Sequence, residues 1–166
     1  MQMEIIEVSK NDVFRIKAIA ELTWPETFKE ILTNEQIRYM LDWMYSLDIL
    51  SYQIENGHKF YILIDDGNDL GFIGIELNCP TIGNAKIHKI YVLPESQGKG
   101  IGDKLIEHVF KYSKLNKINS LTLNVNRFNK AIDFYLKKGF KIIKEENIDI
   151  GNGFLMEDYV MEKMLE

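Results

Sequence analysis

A β-branched run over residues 86–93, K-I-H-K-I-Y-V-L, meets Pro94 and turns glycine-rich directly before a helical pattern. The run has the period and composition of a buried strand, while Leu105, Ile106, Val109, Phe110 and Ser113 recur at helical spacing. Between them lies Gln97-Gly98-Lys99-Gly100-Ile101-Gly102. Glycines at alternate positions let the backbone turn without side-chain obstruction, so successive amide N–H groups and the positive end of the helix dipole converge on one point. The natural guest of such a point is a diphosphate.

Three diphosphate-binding loops compete for this stretch. A nucleotide P-loop needs Lys and Ser/Thr directly after its second glycine, and neither follows Gly100 or Gly102. A dinucleotide fold needs G-x-G-x-x-G with an acid closing the next strand; here Gly98-Lys99-Gly100 runs into Ile101, Gly102 and Asp103, and the strand Leu121–Val125 ends without an acid. The third guest is coenzyme A. Here the chain resembles the GNAT superfamily of acyl-CoA-dependent N-acetyltransferases, whose Gln/Arg-x-x-Gly-x-Gly/Ala loop opens the main helix; Gln97, Gly100 and Gly102 match it.

A second match lies downstream. Asn126 to Phe140, N-R-F-N-K-A-I-D-F-Y-L-K-K-G-F, resembles the family's Asn-x-x-Ala-x-x-Phe-Tyr-x-x-x-Gly-Phe signature. Asn129 is a good N-cap, residues 130–138 lack Pro and Gly, and Gly139 stands where a left-handed residue ends a helix. The resemblance implies a GNAT fold over a single domain, residues 1–166: a mixed, mostly antiparallel twisted sheet of six to seven strands with about four helices on both faces.

Composition agrees with one α/β domain able to bury a core, at 166 residues, 46% hydrophobic and 27% charged. A single Cys79 excludes a disulfide framework, gives no metal cluster and points to a reducing, cytoplasmic compartment. No apolar run approaches the roughly 20 residues that span a bilayer, so no membrane partner is expected. A net charge of −5 argues against nucleic acid and favours cationic small molecules or basic peptides.

Met3–Val8 alternates as a first strand, and Asn11–Leu22 reads as a helix capped by Asn11 or Ser9 and broken by Pro25 just after Trp24. Thr33-Asn34-Glu35-Gln36 matches a capping box for a helix to about Tyr45, and a further helical turn or two spans Ser46–Glu55. Strands at Phe60–Ile64 and Leu70–Leu77 flank an Asp-Gly turn. Two last strands, Lys141–Glu146 and Phe154–Lys163, join through Gly151-Asn152-Gly153.

Acetyl transfer to an amine sets the chemistry to look for. An amine with a pKa of about 10.4 must lose a proton before it attacks a thioester. In the family a bulge near the end of the fourth strand frees backbone N–H groups to hold the pantetheine arm and polarise the carbonyl; the resemblance places these at Ile90, Tyr91 and Val92. Gln97, Gly98, Lys99, Gly100, Ile101, Gly102 and Asn129 complete the implied acetyl-CoA site, with no metal. Tyr135 matches the tyrosine that protonates the departing thiolate. His88 is the first candidate for the base, since it shares strand parity with Ile90 and Val92, and Glu76 is the alternative; His58 and His108 attract no role. Trp24, Phe28 and Glu76 are candidates for the acceptor side, where aromatics and acids enclose a cationic amine by cation–π and charge contacts. The acceptor expected is a polyamine-like small molecule. A peptide N-terminus, or a module that binds CoA without turnover, is the alternative, and a homodimer is compatible with either.

Overall fold

The computed structural model describes residues 2–166. The elements follow the order β1 (Met3–Glu7), α1 (Val13–Phe28), α2 (Asn34–Met44), α3 (Leu47–Glu55), β2 (His58–Asp65), β3 (Asn68–Leu77), β4 (Asn84–Val92), α4 (Ile101–Leu115), β5 (Ser120–Asn126), α5 (Ala131–Lys137), β6 (Lys141–Gly151) and β7 (Phe154–Met164). The seven strands form one sheet in the order β1-β2-β3-β4-β5-β7-β6. Every neighbouring pair is antiparallel except β4 with β5. Five helices cover its two faces, one more than the resemblance implies.

Each face carries its own core. On one, Ile16, Trp24, Leu41 and Leu50 of α1–α3 pack on Phe60, Ile62 and Phe72. On the other, Leu105, Ile106 and Val109 of α4, with Tyr135 of α5, pack on Leu63, Ile73, Ile75 and Leu123. The central strands β2, β3 and β4 alternate because they supply both cores, and burying such a side chain contributes about 1.5–3 kcal/mol.

Local signals explain most boundaries. The Thr33 hydroxyl accepts the Gln36 N–H at 3.1 Å, and Ser46 accepts from Ile49 at 3.2 Å. The reciprocal half of the capping box is missing, because the Gln36 side chain donates instead to the Leu155 carbonyl at 2.8 Å. Asp66 and Gly67, at φ 49° and 80°, make the two-residue hairpin turn. One expectation fails: Pro25 lies inside α1, which runs on to Phe28. Proline removes one helical N–H, but Trp24 and Phe28, one turn apart, are both buried, and their packing outweighs the lost bond.

Gly74 sits where the central sheet is tightest. A Cβ there would lie 2.7 Å from Cε1 of the fully buried Phe60 ring. Gly74→Ala is therefore expected to cost about 1–3 kcal/mol by overpacking, read as a lower urea midpoint at unchanged m-value.

Candidate active site

The loop before α4 has the form its glycines imply. Gly98 and Gly100 adopt φ of 81° and 78°, and a Cβ on either would face open space. The first helical N–H with a partner is that of Lys104, bonded to the Gly100 carbonyl at 3.1 Å. Among the described residues, the N–H groups of residues 98–103 meet no backbone acceptor, so this row, at a helix N-terminus, can hold an anion such as a diphosphate. Gly102 has a different reason to lack a side chain: its Cβ would lie 3.3 Å from the Phe134 ring. That close approach, with the Lys138–Asp103 ion pair at 2.5 Å, locks α4 to α5. Gln97 donates to the Val92 carbonyl at 3.2 Å and fastens the loop to the end of β4. The Ile101 side chain is core, so only its N–H faces the loop's outer side.

Beside this loop the sheet opens. β4 and β5 pair only from Asn84↔Ser120 to Ile87↔Leu123, and beyond that point β5 pairs with β7 alone. The edge of β4 from His88 to Val92 is thus free of β5. The Leu93 N–H bonds the Leu70 carbonyl, and alternation turns the Tyr91 N–H the same way, leaving those of Ile90 and Val92 on the open edge. Of the three residues expected to offer N–H groups, Tyr91 is therefore corrected to a ladder residue.

The bulge is real but lies earlier than expected. Ile75 pairs with Ile87 and Gly74 with Lys89, so His88 is the extra residue. This breaks the parity assumed from sequence: Ile90 and Val92 pack toward α4, whereas His88 stacks on His58 on the α1–α3 face, with ring centroids 4.6 Å apart at 19°. His88 Nε2 lies 2.9 Å from Glu76 Oε1, and His58 Nε2 lies 3.2 Å from the same oxygen. The two residues weighed as alternatives for the base are thus one hydrogen-bonded pair. Burial lowers the His88 pKa to about 4 against the bond to Glu76, so the ring is neutral at neutral pH. Burial pushes the Glu76 carboxyl up, but the bonds from His88 and Cys79 outweigh it and hold it below its ordinary value.

Tyr135 projects from α5 into the α4-side core, 7% exposed, with its ring near Phe134 and Phe140. Burial raises its pKa far above neutrality, so the phenol is an O–H donor throughout the working pH range. Asn129 lies one residue nearer Ala131 than in the family signature; its Oδ1 accepts the Ala131 N–H at 2.9 Å, two residues on, and α5 starts at Ala131. Gly139, at φ 96°, ends that helix as expected.

A family model described as an acetyltransferase (GNAT) domain matches residues 56–142, just over half of the chain. The protein belongs to the GNAT superfamily. The GNAT chain is 29% identical over 163 residues to a spermidine N(1)-acetyltransferase of Thermoplasma acidophilum, covering 95% of this chain and 97% of that protein. It is 32% identical over 125 residues to a 5-NmdU N-acetyltransferase of Pseudomonas phage PaMx11, covering 73% and 85%. The structure of the PaiA N-acetyltransferase of Thermoplasma acidophilum in complex with coenzyme A superposes with a TM-score of 0.83 at 28% identity, over 99% of both chains. Acetyl-CoA-dependent N-acetyl transfer is the activity of this GNAT domain.

Other expectations about the GNAT site change with the fold. Trp24 and Phe28 are 2% and 5% exposed, packed against each other at 4.6 Å beneath Tyr91, and are core rather than acceptor-facing. Two buried charges went unassigned. Lys89, 5% exposed, donates to Gln53 at 3.0 Å and lies over the Tyr45 ring, and burial lowers its pKa to about 8. Asp158, 3% exposed, shares the α1–α3 face with Met156. Asn124 donates to it and to Glu146 at 3.2 Å each. Burial raises the Asp158 pKa, with Glu146 adding to it against the Asn124 bond. Burial first of all holds the Tyr91 hydroxyl protonated, and the nearby Asp158 carboxyl adds to this when charged. No spacing signal marks Asp158, because its neighbours Asn124 and Glu146 come from other strands. Among the described residues, no helix is long and apolar enough to cross a membrane.

Proposed function

We propose that the protein acetylates a cationic primary amine, polyamine-like in class, by direct attack in a ternary complex. The observation that carries this reading is Asp158: a buried acid on β7, opposite Asn126 at the end of β5 that has parted from β4, near enough to Tyr91 of β4 to act on its hydroxyl, and hydrogen-bonded by Asn124. Among the described residues no cationic side chain hydrogen-bonds the Asp158 carboxyl, although the Lys86 and Arg127 charges act on it from nearby, and a buried acid placed so suits an ammonium ion brought by the substrate. The net charge of −5 and the similarity to a spermidine acetyltransferase support the same class.

Acetyl-CoA supplies the acetyl group as an activated thioester. The N–H row of residues 98–103, with Gln97 fastening the loop and Lys99 adding positive charge, holds the diphosphate; the Ile90 and Val92 N–H groups on the open edge of β4 orient the pantetheine arm and the carbonyl. His88, the first β4 residue past the last pair with β5, takes the proton that the nitrogen sheds once its attack on the carbonyl has made that N–H acidic, since a ring with a pKa of about 4 does not deprotonate a free ammonium; Glu76 fixes the ring through Nε2. Tyr135 gives its phenolic proton to the leaving sulfur.

Thiol release from acetyl-CoA, measured with spermidine, amino acids, aminoglycosides and short basic peptides, tests the acceptor class. Spermidine is expected to be the best acceptor, with kcat/KM falling as salt shortens the Debye length from about 30 Å at 0.01 M to about 10 Å at 0.1 M. Reaction of a peptide N-terminus while every polyamine fails would replace this reading by peptide acetylation.

A further inference from the structure

The bulge that displaces His88 gathers three side chains of metal-ligating chemistry from three adjacent strands. His58 starts β2, Glu76 lies next to the end of β3, and His88 is the extra residue of β4. His58 is paired with Glu76 across the β2–β3 ladder, so the sheet itself holds two of the three in register. One ligand atom from each lies within 4.8 Å of the others, and both imidazole Nε2 atoms converge on Glu76 Oε1 at 2.9 and 3.2 Å.

We propose that His58, Glu76 and His88 form a three-ligand site for a divalent cation of the zinc class, with the fourth position open to water. Ligands at 2.0–2.2 Å from a tetrahedral ion stand about 3.3–3.6 Å apart, so the two nitrogen–oxygen separations of 2.9 and 3.2 Å widen by a few tenths of an ångström, and one of the two imidazoles, stacked at 19°, turns about its side-chain bond so that both Nε2 lone pairs meet at the ion. Two imidazoles and one carboxylate suit zinc, cobalt or nickel, whereas calcium and magnesium prefer all-oxygen sets. On binding, each neutral ring carries its proton on Nδ1 and gives its Nε2 lone pair to the metal; no redox step or co-reactant is involved. Cys79 lies beside Glu76, but its sulfur is outside the cluster.

Titrating the full chain with Co²⁺ tests the site directly. The expected result is one ion per chain, with the visible ligand-field band of a four-coordinate ion that Zn²⁺ then displaces. His58→Ala is expected to weaken Zn²⁺ binding, followed by calorimetry, by more than about a hundredfold, since even outer-shell partners are worth 10–100-fold. Glu76→Gln, which keeps shape and hydrogen bonding, is expected to weaken it likewise, while Cys79→Ser leaves it unchanged. Zn²⁺ is also expected to raise Tm in the parent and not in His58→Ala. Equal affinity in the parent and both ligand variants, or loss of binding in Cys79→Ser alone, overturns the proposal. Binding is measured without turnover and so is read separately from the base role of His88; in the metal-loaded protein the His88 ring has no free nitrogen lone pair, and acetyl transfer is expected to be slower than in the metal-free protein.

Discussion

Tyr135→Phe is expected to lower kcat by about 10²–10⁴, the range of a general acid, while CoA affinity and Tm stay close to those of the parent. The phenol ring is packed between Phe134 and Phe140, and phenylalanine fills the same volume. Only the O–H is lost. Burial keeps that O–H protonated well beyond neutral pH, so the residue offers a proton at any pH where the protein is active. The proton is useful only at the sulfur, as charge builds on the departing thiolate, and the deficit therefore belongs in kcat rather than KM. Steady-state kinetics with the best acceptor, calorimetry with CoA and a thermal melt separate these effects. Unchanged kcat under conditions where chemistry limits turnover would leave Tyr135 a packing residue.

Gly100→Glu is expected to weaken CoA binding by about a hundredfold or more. At φ 78° the position is strained for an L residue, and its side chain emerges into open space beside the unpartnered N–H row. The new carboxylate would compete with the diphosphate for those donors, and losing two charge-assisted bonds of about 1.5–3 kcal/mol each accounts for the drop. Gly100→Ala carries the backbone strain without the charge and is the matched control. If Gly100→Glu binds CoA like Gly100→Ala in calorimetry, the loop does not hold the diphosphate. Gly102 is the poorer probe, because a side chain there meets Phe134 and disturbs the α4–α5 contact first.

The residues that could be read from the chain are those whose roles are local. Gly98 and Gly100 need positive φ, Gly139 ends a helix, Asp66-Gly67 makes a two-residue turn, and Thr33 and Ser46 cap helices. Each depends on a few adjacent residues and on backbone sterics, which one sequence carries in full. The motif around Tyr135 was legible for the same reason, since loop, helix and cap lie within one short segment.

Sequence by itself thus determined most of the succession of elements, the glycine-rich turn before α4 and the family. Tertiary structure decided which face each side chain serves. A single extra residue at His88 reversed the parity of β4 and joined His88 to Glu76 and His58, although the outer two stand 30 positions apart in the chain. The burial of Trp24 and Phe28, the continuation of α1 through Pro25, and the hydrogen bond from Asn124 of β5 to the buried Asp158 were likewise set by contacts distant in sequence. Strand register is a cooperative property of whole sheet faces, so a one-residue shift moves side chains between cores without changing any local propensity.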